Sequence, residues 1–64
     1  MSDTYKQEIL AEAKKQFIEN GYRSTTNSTI RIALGYDKKD QKIRYYFKNK
    51  ANLYKEVFGK YYEE

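Results

Sequence analysis

Positions 35–50 read GYDKKDQKIRYYFKNK, and this stretch decides the fold. Gly35 is suited to closing one helix, since the left-handed residue after a last turn is most easily glycine. Asp37 stands where another helix would start, with Asp40 three residues on, near the positive end of its dipole. From Lys38 the pattern predicts a helix running to Phe47. At about 100° per residue, Ile43 and Phe47 form an inward stripe with Tyr46 beside them. Lys38, Gln41 and Tyr45 point almost directly opposite, and Lys42 and Arg44 flank that outer face. A glutamine and an aromatic between two edges of cations suit a helix lying in the major groove of duplex DNA. Glutamine pairs bidentately with adenine, lysine reaches guanine, and flanking cations meet phosphates. A purely solvated face more often mixes glutamate with lysine, and here no carboxylate lies beyond the first turn.

Outward from this stretch the chain reads as helices on both sides. Asn49 caps a fourth helix expected over 49–62, with Leu53 and Val57 inward. Lys50 falls in its first turn, where the dipole disfavours a cation unless a phosphate lies against that end. Tyr54, Phe58, Tyr61 and Tyr62 are expected to form an exposed aromatic surface, a self-association site or a domain junction. Before Gly35, a short second helix is expected over 28–34, with Ile30, Ala33 and Leu34 inward. The hydroxyl-rich loop 23–29 supplies its caps, and Tyr36 follows Gly35 as an apolar plug. A first helix over 4–20 begins with capping-box spacing at Thr4 and Gln7. Ile9, Ala13 and Phe17, with Leu10, make its apolar stripe, while Lys6, Glu12, Lys15, Gln16 and Glu19 occupy the rest. Gly21 ends it and Tyr22 folds back. The expected class is all-α, a bundle of about four helices containing a helix-turn-helix.

Composition narrows the function. Sixty-four residues make one domain with a small core. The chain has no cysteine and no histidine, so disulfides, thiolate chemistry and the common zinc-ligand sets are missing. No nucleophile–base pair can be assembled, and neither an enzyme nor a bound cofactor or metal is expected. No apolar run approaches the roughly 20 residues of a membrane span, and the cytoplasm is the expected compartment. Aromatics at 17% offset a charged fraction of 34%, enough for a compact fold. The net charge of +4 is concentrated: residues 21–50 hold eight cations against Asp37 and Asp40, between two segments of net −1. That block is the footprint of a polyanion-binding surface.

Five motifs in register carry a family resemblance. They are Ile9-Leu10 through Ala13 and Phe17, then Asn20-Gly21-Tyr22, then Thr25-Thr26, then Ile43-Arg44-Tyr45-Tyr46-Phe47, and finally Lys48-Asn49-Lys50 with Leu53. Together they resemble the N-terminal DNA-binding domain of the TetR family of bacterial repressors, over nearly the whole chain. Between Thr25 and Phe47 the chain is about two residues longer than the family pattern. Placing the extra residues in the turn sets Gly35-Tyr36-Asp37 where the family has Gly-Val-Ser. Placing them before Ser28 would instead align Ile32-Ala33 with the family's Ile-Ala and put Lys38 at an apolar position. The first register is preferred because it buries Tyr36. Arg44 replaces a tyrosine that touches the DNA backbone in the family.

The resemblance implies that Thr25 and Thr26 bond phosphates, and that Arg44, Tyr45, Tyr46 and Lys50 position the backbone. Tyr46 has a competing core role. Lys38, Lys39, Gln41 and Lys42 would face the groove and carry the sequence preference. The implied partner is double-stranded DNA, a palindromic operator bound by a homodimer, with the dimerising and inducer-binding C-terminal domain of the family absent from these residues. A second reading, from the residues alone, is a protein-interaction module that docks the basic helix on an acidic partner and the aromatic fourth helix in a groove.

Overall fold

The computed structural model describes residues 4–63, and four helices order them: α1 (Thr4–Asn20), α2 (Asn27–Leu34), α3 (Lys42–Tyr46) and α4 (Lys50–Phe58). The class expected from periodicity, an all-α bundle, is the one observed. The ends of the expected 1–64 domain, residues 1–3 and 64, lie outside the described residues.

The core is where the apolar stripes meet. Ile9, Ala13 and Phe17 of α1 close on Ile30 of α2, Ile43 of α3, Phe47 and Leu53 of α4. Leu10, Tyr22, Leu34, Tyr36, Tyr46, Tyr54, Val57 and Phe58 pack around these seven. α1 lies against all three other helices and serves as the scaffold of the bundle. Ala33, expected inward, is exposed instead. Over eight residues α2 buries only Ile30 fully, and Ala33 sits three positions on, toward solvent.

α2 starts one residue earlier than expected because Thr26 and Thr29 cap each other. The Thr26 hydroxyl accepts the Thr29 N–H at 3.2 Å, and the Thr29 hydroxyl accepts the Thr26 N–H at 2.9 Å. Gly35 ends α2 at φ +75, donating its N–H to Ile32 at 3.1 Å. A Cβ there would meet nothing within 4 Å, so the backbone angle, not space, calls for glycine.

The two largest departures from the expected helix bounds have reasons visible in the bonding. The third helix begins at Lys42, not Lys38, because both aspartates bond the backbone of a turn. Asp37 accepts the Lys39 N–H on Oδ1 at 2.8 Å and the Asp40 N–H on its carbonyl at 2.9 Å. Asp40 then accepts the Lys42 N–H at 2.8 Å. Side-chain bonds of this kind compete with the helical ladder. The fourth helix stops at Phe58, because Gly59 takes φ +79 and donates to the Lys55 carbonyl at 2.7 Å. Tyr61 and Tyr62 therefore lie beyond it.

The expected exposed aromatic surface is closed at Tyr54 and Phe58 and open at Tyr61 and Tyr62. Tyr54 and Phe58 are half-buried, with ring centroids 5.1 and 6.1 Å from Phe17. Tyr62 stacks on Tyr22 at 4.1 Å yet stays 38% exposed, and Tyr61 is 52% exposed. Tyr54 and Phe58 thus cover the seam between α1 and α4, while Tyr61 and Tyr62 remain at the surface.

Gln16 also departs from expectation: it is buried, and joins α1 to the start of α2. Its Nε2 donates to Glu12 at 2.8 Å and to the Thr29 carbonyl at 3.2 Å, and its Oε1 accepts the Thr29 hydroxyl at 2.7 Å. Replacing the buried Gln16 with Ala removes its packing and three hydrogen bonds and should cost about 1–3 kcal/mol. Lys15→Ala, on the exposed face, should change stability by about 0.5 kcal/mol or less. Urea denaturation of the two variants checks this difference.

Candidate nucleic-acid interface

The second and third helices and the turn between them enclose a polar concavity of about 220 Å³. Asn27, Ser28 and Arg31 of α2 line one side, Lys38, Asp40 and Gln41 of the turn another, and Ile43 and Arg44 of α3 the floor and rim. Asn27, Ser28 and Arg31 were not singled out from sequence. The signal was present: Arg31 belongs to the basic block, and the other two open the helix that follows the hydroxyl-rich loop.

α3 spans five residues, with one buried side chain, Ile43, and with Phe47 buried immediately after it. Those two anchors turn the opposite side of the helix outward. Gln41 and Tyr45 are one turn apart, joined by the Tyr45 N–H to the Gln41 carbonyl at 2.8 Å, and both are exposed. Tyr45 is 82% exposed, more than any other large hydrophobic side chain named in the fold. Arg44 is exposed at the edge of the concavity. Lys38 and Lys39 are exposed too, on the turn and not on the helix where the sequence pattern set them. Tyr36 is half-buried against the core, and Lys38 is at the surface.

Four of the expected contact residues are occupied within the fold. Thr25 is fully buried, and its hydroxyl donates to the Gly21 carbonyl at 2.9 Å, so no surface is left for a phosphate. Thr26 is exposed at the cap of α2. Lys50, placed by sequence beside a phosphate, turns back over the loop after α1. Its Nζ donates to the Tyr22 carbonyl at 2.8 Å and lies 4.4 Å from the centroid of the Tyr22 ring. The N-terminus of α4 is satisfied by Asn49, which accepts the Asn52 N–H at 2.8 Å. Tyr46 is half-buried on the core side of α3, its ring 5.1 Å from Tyr45 and 6.3 Å from Phe47.

Lys42 is the fourth. Its ammonium pairs with the Asp40 carboxylate and stands 4.6 and 4.9 Å from the ring centroids of Tyr5 and Tyr36. The Lys42 hydrogen bonds hold the Asp40 carboxyl below the usual aspartate range, and the same pairing raises Lys42 above its ordinary value. Tyr36 donates its hydroxyl to Glu8 at 2.9 Å. Burial, then the Glu8 hydrogen bond and charge, push its phenol up to about 12.

Residues 9–57 match the family described as bacterial regulatory proteins, tetR family. The chain is 42% identical over 54 residues to the HTH-type transcriptional regulator QacR of Staphylococcus aureus, covering 84% of this chain and 28% of that protein. It thus spans less than a third of the length of that curated relative. No solved structure matches the chain at a significant level.

The raised phenol makes a prediction with a definite sign. Neutral Tyr36 favours the folded state below the ordinary phenol value of about 10, and that contribution is lost as pH rises through about 12. Alkaline titration followed by tyrosinate absorbance should show a late step near pH 12 that Tyr36→Phe removes.

Proposed function

The chain belongs to the tetR family of bacterial regulatory proteins, and on that premise we propose that it is the DNA-reading domain of a transcriptional repressor, binding duplex DNA sequence-specifically with α3 in the major groove. The observation that carries this reading is the outer side of α3. A five-residue helix holds Gln41, Arg44 and an almost fully exposed tyrosine away from a core that anchors only Ile43 and Phe47. Exposing such a ring gains nothing for folding, since burying it would be favourable.

In this reading Gln41 and Tyr45 meet base edges, glutamine favouring adenine through its paired donor and acceptor. Arg44, Lys38 and Lys39 take phosphates, with Thr26 and Arg31 on the far side of the concavity. Asn27 and Ser28 line the same polar hollow, where the N–H groups of α2's first turn favour an anion. A helix-turn-helix of this size gains specificity from two copies on two half-sites, so the operator is a palindrome and the binding species a homodimer. Work of this kind places the protein in the cytoplasm. Among the described residues no helix is long and apolar enough to cross a membrane.

Three exposed cations, Lys38, Lys39 and Arg44, with Arg31, whose guanidinium also bonds the Tyr36 carbonyl at 3.4 Å, set a log-log salt slope of about −3 to −4. Arg44→Ala should weaken binding to all duplexes alike and shift the slope by about 1. Gln41→Ala should cost about 1–3 kcal/mol at one base position and leave the slope unchanged. Site selection from random duplex followed by fluorescence anisotropy across a salt series measures all three. A slope near zero, or equal affinity for selected and random duplex, would sink the reading. Indifference to Gln41→Ala and Tyr45→Ala would favour charge-driven docking on an acidic protein instead.

A further inference from the structure

The basic residue at the start of α3 faces away from the proposed groove, into a box of side chains drawn from two parts of the fold. Tyr5 comes from the first turn of α1, and Tyr36 and Asp40 come from the turn before α3. The two tyrosine rings meet edge to face at 6.1 Å and 80°. Glu8, on the next turn of α1, accepts the Tyr36 hydroxyl. Asp40 holds Lys42 twice, through its ammonium and through its backbone N–H. Gln41, which stands at the cap of α3, makes no side-chain cap bond, so the carboxylate of Asp40 supplies the bond that starts the helix.

We propose that Lys42 is a positioning residue for DNA reading: clamped between Tyr5, Tyr36 and Asp40, it sets the seat and rotation of α3 against α1 and so aims Gln41 and Tyr45. The inference rests on the reading of α3 as the recognition element. A helix this short has little stability of its own, because nucleation is costly and few hydrogen bonds follow it. Its orientation therefore comes from side-chain anchors. Ile43 and Phe47 fix depth on one side, and the Lys42 box fixes the N-terminal end from which Gln41 projects. The turn leading into α3 is polar, with Asp37, Lys38, Lys39 and Asp40 in succession, and the clamp ties it to α1 through Tyr5.

The clamp and a direct phosphate contact make opposite predictions. If Lys42 touched DNA, Lys42→Met would flatten the salt slope by about 1 and weaken selected and random duplex alike. As a positioning residue, its loss should lower affinity for the selected duplex by about tenfold, with the slope and the random-duplex affinity unchanged. Lys42→Arg, which can still stack on the rings and pair with the carboxylate, should restore most of the specificity.

Asp40→Asn supplies the sharper test. It removes a negative charge from a polyanion-binding face, so plain electrostatics predicts tighter binding. The clamp predicts weaker binding to the selected duplex. Tyr5→Ala should behave like Lys42→Met, and Tyr5→Phe like the parent, since the ring and not the hydroxyl faces the ammonium.

The clamp also has a readout without DNA. In NMR spectra of the free protein the Lys42 ε-methylene should be shifted upfield by the two rings, and Tyr5→Ala should move it toward the random-coil position. Retention of cooperative thermal melting shows that each variant folds. An unshifted methylene, a salt slope flattened by Lys42→Met, or tighter binding by Asp40→Asn would each overturn the proposal. Failure of the parent protein to discriminate selected from random duplex would overturn the recognition reading itself, before any variant is made.

Discussion

A helix of five residues cannot stand alone, and the rest of this small bundle is organised around holding one in place. Ile43 and Phe47 insert into the hollow formed by Ile9, Ala13 and Phe17 of α1 with Ile30 and Leu53. Without that burial α3 would have neither a fixed depth nor a fixed rotation. α1 is the natural scaffold because it is the longest helix and packs against each of the others. The arrangement leaves a single side of α3 for solvent, and the residues there are those with base- and phosphate-directed chemistry.

Polar joins add to the apolar core in setting the geometry. Gln16 ties the middle of α1 to the cap of α2 through Thr29, so the start of α2 is fixed relative to the scaffold. Lys50 ties the beginning of α4 to the Tyr22 loop. Lys42 and Asp40 tie the beginning of α3 to the first turn of α1 through two rings. Each of these polar chains meets a backbone carbonyl, a hydroxyl or a carboxylate, as a domain with so small a core requires. Cations placed by sequence on one DNA-facing surface thus divide into two groups. Arg44, Lys38 and Lys39 remain exposed, while Lys42 and Lys50 build the protein.

Much of the fold was legible beforehand, and the legible parts share a cause. The span of α1 and the inward set Ile9, Ala13 and Phe17 follow from a long amphipathic period. The ends of α1 and α2 follow from glycine, and the beginning of α4 from Asn49. The misreadings share a cause as well. Asp37 and Asp40 carry helix-start chemistry, yet both bond turn N–H groups, which shortened α3 by its first four residues. Gly59 lies inside the expected 49–62 helix, and its left-handed backbone ends α4 at Phe58, before the last two tyrosines. Gln16 lies beside the apolar stripe of α1, where a glutamine looks solvated until its partner thirteen residues away is known.

By itself the sequence determined the helical class, the order of elements, the apolar stripes and the single basic block, because periodicity, capping and net charge are properties of neighbours along the chain. The tertiary structure alone decided which cations stay free, where α3 begins, and that Thr25 and Gln16 lie inside. Those outcomes depend on partners brought together by packing. A lysine directed at solvent and one clamped between two tyrosine rings have the same local sequence signature and differ only in what the fold places within 5 Å of the ammonium.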